Sequence, residues 1–477
     1  MTTPESLPNV LAHRYASAAV NAIWSEEGRI RLERRFWIAV LMAQRDLGIE
    51  IPDTAIVAYE SVVDQVDLGS IRERETTTRH DVKARIEEFC ALAGCEYVHK
   101  GMTSRDLTDN VEQYQIYQSL QAVTPKYVRL LDRLRDRAVE WRDVVIVGRT
   151  HHAAAQPTTM GKRLAMYGQE MLIAFRRLED LIAHYPLRGL VGAVGTGVDQ
   201  LTLFEGDGER LQALQARVLE HLGFAAQAGA VGQVYPRSLD FEVASCLYQL
   251  GGGIANLART VRLMAGAETA TEGFAPGQVG SSAMPHKMNT RSTERINGLQ
   301  VILGGYAHML GGLVGDQWFE GDVSCSVVRR AALPDSFFAF DGLVETALHV
   351  VDDMGIYEAV LARELERFLP FLATTTLLME SVRNGGRREE IHEAIKKHAV
   401  AAALDMREQT GPAKDLAARL GADSHIPLSS GQIEEILSRG RDFTGQASGQ
   451  VDGFSAQVDS VVSRYPAAKD VRKSRML

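Results

Sequence analysis

Four short stretches of this chain hold side chains that could move protons or bind anions. Thr150-His151-His152 follows the apolar run Val144-Val145-Ile146-Val147. An imidazole in a polar loop at that point can donate a proton near neutral pH. His151 is the candidate acid, His152 competes with it on residue type, and a histidine that merely caps the next helix is the plainer alternative. His80-Asp81 puts a second imidazole beside a carboxylate, which can hold the ring in one tautomer. Lys287 and Asn289 set an ammonium and an amide donor two residues apart, enough to flank one anion. Glu294, seven residues past Lys287, is either a first-turn helix acid or a carboxylate that orients a histidine of a neighbouring chain. Gly280-Ser281-Ser282, on its own residue types, reads as turn chemistry.

Helices must position these groups. Tyr127, Leu131, Leu134, Ala138 and Trp141 step by four and three along one helical face, and Val243, Leu247, Leu250, Ile254, Leu257, Val261 and Met264 repeat the pattern. So long a seam belongs to a helix inside a bundle. Gly251-Gly252-Gly253 interrupts it at roughly 1 kcal/mol each, a cost that close approach of a neighbouring helix would explain. Further helices are expected near 29–47, 160–184, 208–222, 292–314 and 387–408. The only notable β-type run is Val144–Val147. The class is all-α, in three parts: 1–110, a central long-helix bundle over 111–360, and a helical 361–477. One segment breaks the pattern, the Gly- and Pro-rich stretch 272–291, and loops of that length are usually functional or disordered.

Composition narrows the classes. The 477 residues include 45% hydrophobic and 24% charged side chains, enough for a large core and too apolar for a disordered chain. With 52 basic against 61 acidic side chains the net charge is −9, which argues against non-specific nucleic-acid or membrane-surface binding. Four scattered cysteines, no pair at CxxC spacing, point to a reduced cytoplasmic protein without structural zinc. No signal peptide or membrane span is expected.

Gly280-Ser281-Ser282-Ala283-Met284-Pro285-His286-Lys287-Met288-Asn289 resembles the signature loop of the fumarase/aspartase superfamily, whose members eliminate fumarate from substituted succinates. Gly148-Arg149-Thr150-His151 with Gln156-Pro157-Thr158-Thr159, and His99–Asp106, resemble its other two blocks in the required order. Arg14-Tyr15, Ile23-Trp24-Ser25, Arg79-His80-Asp81-Val82, Arg291–Arg295, Gln317–Glu320 and Arg329-Arg330 are similar to the adenylosuccinate lyase family in particular. The likeness runs from about residue 14 to Phe443-Thr444-Gly445.

That resemblance implies cleavage of adenylosuccinate to AMP and fumarate, and of the succinylated carboxamide ribotide SAICAR to AICAR and fumarate, with no metal or organic cofactor. It makes His151 the acid and Ser281 the base. Lys287 and Asn289 become partners of the carboxylate that gathers charge, with His80 and Glu294 assisting. Arg14, Tyr15, Ser326 and Arg330 would meet phosphate or ribose, and Arg79, His80, Asp81, Thr103, Ser104 and Arg295 would line the rest. It also implies a homotetramer with a twenty-helix core, each site assembled from three chains. Three positions depart from the family: Thr290 replaces a usual proline, Gly321 a frequent phosphate-binding arginine, and Gly197 stands where relatives can carry a glutamine. Two rivals stay open at this point. One is a sister lyase acting on argininosuccinate or another small acid; the other is a non-catalytic structural protein on the same scaffold.

Overall fold

The structure is a computed structural model that describes residues 8–274, 277, 283–284, 286–409, 416–439 and 442–471. Five long helices form its centre: Ser104–Glu140, Met160–His184, Ser238–Gly266, Arg291–Gly311 and Cys325–Asp353. Both apolar stripes read from the sequence are buried along their whole length. Burying each large apolar side chain contributes roughly 1.5–3 kcal/mol, which outweighs the propensity cost of the glycines. Two of the three, Gly251 and Gly253, stand where a neighbouring helix comes close. A Cβ on Gly251 would collide with Gln300 Oε1, and one on Gly253 would lie 2.8 Å from Met171 Cγ. At the same level the Tyr127 hydroxyl donates to the Leu250 carbonyl at 3.0 Å, tying two of the long helices together.

The other expected helices are present as Glu26–Asp46, Gly208–Leu222 and Arg388–Gln409. The class is all-α. Strands among the described residues come only in short pairs: Val145–Thr150 with Ala153–Thr159, Pro186–Leu187 with Ala226–Gln227, and Ala270–Thr271 with Gly355–Ile356. The first of these grows from the Val144–Val147 run. Among the described residues no helix is long and apolar enough to cross a membrane.

Buried ion pairs fix the helix ends that face the site. Thr103 donates its N–H and hydroxyl to Asp106 Oδ2 at 2.7 and 3.1 Å, and Asp106 Oδ1 accepts from Arg188 Nη1 at 2.8 Å. Arg34, fully buried, forks onto Glu88 at 2.8 and 2.6 Å and donates to the Val62 carbonyl at 2.8 Å. Glu88 lies on the Asp81–Ala93 helix, so this pair anchors the helix that begins at His80. Exchanging Arg34 for Met leaves the Glu88 carboxylate buried without its cation. An unfolding free energy lower by about 3–5 kcal/mol is the expected result in a urea titration.

A second apolar core gathers Leu377, Ile391, Leu416, Leu420 and Ile433. The Ala447–Arg464 helix instead returns to the centre, where Val451, Phe454 and Val458 join the main core. Arg142–Asp452 and Arg464–Glu179 pairs, each 2.8 Å, fasten it there. The bundle also keeps an apolar outer strip. Val301 and Val327 are 76% and 77% exposed, Ile302 and Met309 are exposed on the same helix as Val301, and Phe241 and Tyr248 are exposed on Ser238–Gly266.

Candidate active site

Part of the residue set singled out in the sequence lines three separate cavities, whereas Arg14, Tyr15, Arg79, Thr103, Lys287, Glu294 and Arg295 line none of the three. His80, Asp81, Ser104, Ser326 and Arg330 line one cavity of about 500 Å³, between the N-terminal helices and the starts of Ser104–Glu140 and Cys325–Asp353. His151 and His152 line a groove of about 790 Å³. Asn289 and Thr290 line a third cavity, of about 400 Å³, beside Glu272 and Tyr357. No lining residue is shared among the three.

In the first cavity His80 is the N-cap of the Asp81–Ala93 helix, and its Nδ1 accepts the Lys83 N–H at 3.3 Å. An accepting Nδ1 leaves the ring proton on Nε2, so the tautomer is set by the cap. Asp81, expected to hold the ring, turns its Oδ2 to Arg85 at 3.2 Å, and its Oδ1 stands 3.7 Å from His80 Nδ1. Burial pushes the Asp81 carboxyl up, but the Arg85 charge and the Val82 N–H outweigh it and hold the pKa below the ordinary value. Arg79 precedes this turn, exposed, at φ 50°. Thr103 has its hydroxyl engaged with Asp106. The neighbouring arginines 329 and 330 differ sharply. Arg329 is buried against Asp240 at 2.7 Å and Glu112 at 2.6 Å, whereas Arg330 is exposed. Arg29, Arg105, Glu112 and Gln115 also line this cavity. Sequence reasoning missed them, although Arg105 lies inside the first family block and Arg29 lies five residues after Trp24.

His99, at the head of that block, accepts the Trp37 indole N–H on Nδ1 at 3.1 Å. Burial pushes its imidazole down to about 4, against the opposing pull of Asp106. The unfolded chain, with an ordinary value near 6.5, therefore takes the proton first, and the fold loses stability as pH falls from about 6.5 to about 4. Exchanging His99 for Gln should flatten that slope, read as urea midpoints at pH 7 and pH 5.

The groove is built on a hairpin. Thr150 pairs with Ala153, so His151 and His152 form a two-residue turn, with φ 51° and 62°. Positive φ at both central positions is the turn that Asn-Gly normally makes, and side chains there cost of order 1 kcal/mol each. Long-range contacts hold it. Arg149 donates to the His152 carbonyl at 2.9 Å, pairs with Glu364 and lies over the Phe368 ring at 5.6 Å. Both imidazoles are exposed, and nothing in the turn separates their roles.

Lys287 is exposed, with its N–H donating to the Met284 carbonyl at 3.0 Å; Ser281 lies outside the described residues. Glu294 is exposed in the first turn of Arg291–Gly311, the position its alternative reading expects. Arg295 stands over the Tyr15 ring at 5.7 Å, and Arg14 ends the Val10–Arg14 helix, exposed. Gly321 is closed to any side chain, since a Cβ there would lie 2.7 Å from both Cβ and Oε1 of Gln233. Gly197 begins the Val198–Leu203 helix at φ 66°, a conformation that a glutamine adopts only with strain. Among the described residues no three His, Cys, Asp or Glu side chains form a group that could hold a metal ion.

A family profile described as "Lyase" matches residues 16–304, and one described as "Adenylosuccinate lyase C-terminus" matches residues 370–454. The chain is 32% identical over 467 residues to an adenylosuccinate lyase of Schistosoma mansoni, covering 97% of each chain. It is also 32% identical over 456 residues to that of Saccharomyces cerevisiae, covering 93% of each. In fold it is similar to the 3-carboxy-cis,cis-muconate lactonizing enzyme of Pseudomonas putida, with a TM-score of 0.80 at 21% identity over 95% of this chain and 99% of that one. Matched along nearly its whole length and again at its C-terminal region, the chain belongs to the adenylosuccinate lyase family of the fumarase/aspartase superfamily.

Proposed function

We propose that the protein cleaves adenylosuccinate to AMP and fumarate, and SAICAR to AICAR and fumarate. The observation that carries this reading is convergence: five residues assigned from sequence, spread from His80 to Arg330, line one cavity. That cavity joins an imidazole, hydroxyls and arginines, the groups that a phosphorylated, twice-carboxylated substrate needs.

The chemistry is an elimination in two steps. Ser281 takes the proton from the carbon beside a carboxylate, and the negative charge spreads onto that carboxylate. Lys287 and Asn289 face the growing charge, stabilising it more in the transition state than in the ground state. A serine acts as base only where flanking N–H groups and an ammonium stabilise its alkoxide in a site closed to water. The C–N bond then breaks, and His151 gives its proton to the departing 6-amino nitrogen. His80 and Glu294 assist these transfers. Arg14, Tyr15, Ser326 and Arg330 bind phosphate and ribose, while Arg79, Asp81, Thr103, Ser104 and Arg295 complete the pocket.

One chain keeps His80, His151 and Asn289 in separate cavities, which supports a site shared among the chains of a homotetramer. The exposed apolar strip at Phe241, Tyr248, Val301 and Val327 supports the same assembly, because patches of this kind mark interfaces. The division at residues 110 and 360 and a cytoplasmic location belong to this reading; the separate core around Ile391 supports a distinct C-terminal part. The test is fumarate release by the purified protein, with adenylosuccinate and argininosuccinate run in parallel. Release from adenylosuccinate alone is expected, and release from argininosuccinate alone would overturn the reading.

A further inference from the structure

The Arg291–Gly311 helix starts without a local cap, since Thr290 makes no side-chain hydrogen bond to its first turn. The first amides of a helix have no partner within it and need one from elsewhere. Here the partner comes from twenty residues upstream. Glu272, 7% exposed, accepts the Ser292 N–H on Oε1 at 2.9 Å. Its Oε2 accepts the Thr293 N–H at 2.8 Å and the Thr293 hydroxyl at 2.9 Å. The carboxylate also lies at the positive end of the helix dipole.

Glu272 is itself fixed in place. Ala270–Thr271 pairs with Gly355–Ile356 on one side of it. On the other, Gly273 adopts φ 99° so close to Asp353 that a Cβ would stand 2.6 Å from Asp353 Cβ. The two feet of the polar segment 272–291 are thus clasped to each other and to the end of the Cys325–Asp353 helix. Asn289 leads into the clasped turn, and Arg295, which covers Tyr15, lies one turn beyond it.

We propose that Glu272 is a positioning residue for the elimination: its clasp on Ser292 and Thr293 sets the placement of Lys287, Asn289 and Arg295. The role rests on the reaction proposed above, and Glu272 does not itself touch substrate. Displacing a binding group by about 1 Å can cost about 100-fold in rate, so a loosened clasp acts on turnover.

Glu272→Gln keeps the size and one accepting oxygen but turns an amide N–H₂ toward a backbone N–H; Glu272→Ala removes the clasp. The expected kcat falls about 10-fold in the Gln variant and about 100-fold in the Ala variant, with KM changing less than about threefold. Circular dichroism and oligomeric state should match the wild type. A cap of structural value only would lower the unfolding midpoint and leave kcat per folded site unchanged, so kcat within about twofold of wild type in both variants overturns the proposal. Hydrogen–deuterium exchange over residues 286–295 gives a readout independent of turnover. Faster exchange in Glu272→Gln supports the clasp, and unchanged exchange overturns it. Failure of the underlying reaction is recognised separately, because the wild-type protein itself would then release no fumarate, and the positioning role would fall with it.

Discussion

Exchanging His151 for glutamine should lower turnover of adenylosuccinate about 100- to 10,000-fold and leave KM nearly unchanged. The size of the effect follows from the leaving group. An amine cannot depart from the succinyl carbon as an anion, so a positioned acid must deliver a proton while the bond breaks. Glutamine keeps the hydrogen-bonding reach of the side chain but has no proton to give at neutral pH. His152→Gln is the control built into the turn, since it shares the exposure and the positive φ of its neighbour. Turnover within about threefold of wild type is expected of it, because the side chain is then a bystander. Steady-state rates on both variants decide the matter: a large loss at residue 152 with little at 151 would transfer the acid role by one position.

Mixing two dead proteins should give a live one. His80 and His151 line cavities with no residue in common, and under the shared-site proposal a catalytic centre that needs both draws them from different chains. Take His80→Ala and His151→Gln, each inactive by itself, unfold them together at equal amounts and allow them to refold. In a randomly mixed oligomer about one site in four draws an intact residue 80 from one chain and an intact residue 151 from another, so about a quarter of wild-type turnover returns. Activity no higher than that of the separate variants would mean that both histidines act within one chain, and the shared-site proposal would fail.

What could be seen in the sequence was whatever depends on neighbours along a helix. The stripe from Val243 to Met264 was legible because a 3.6-residue period exposes the buried face directly. The glycines at 251 and 253 were legible because their propensity cost demands a compensating contact. The hairpin at His151-His152 was not. Two histidines have no local preference for positive φ, and what holds their turn is Arg149 reaching Glu364 and Phe368, more than two hundred residues away. His80 shows a subtler limit. Its neighbour Asp81 drew attention as the partner, yet the ring is held by the Lys83 N–H, a helix-capping contact visible only once the helix start is known. Similarly, Arg329 and Arg330 are indistinguishable as residue types, and only the burial of Arg329 against Asp240 and Glu112 separates the structural cation from the accessible one. Glu272 could have been found as an acid upstream of a helix that lacks its own cap.

The return of the Ala447–Arg464 helix to the central bundle has a consequence for how the molecule comes into being. Its partners on Ser104–Glu140 and Met160–His184 leave the ribosome long before it does. Until Val451, Phe454 and Val458 arrive, the trough that receives them stays wet and apolar, an adhesive surface on an unfinished product. Synthesis and folding therefore cannot run in step along this chain. The seam closes late, and a nascent chain stalled before residue 447 would be a customer for chaperones rather than a nearly finished subunit.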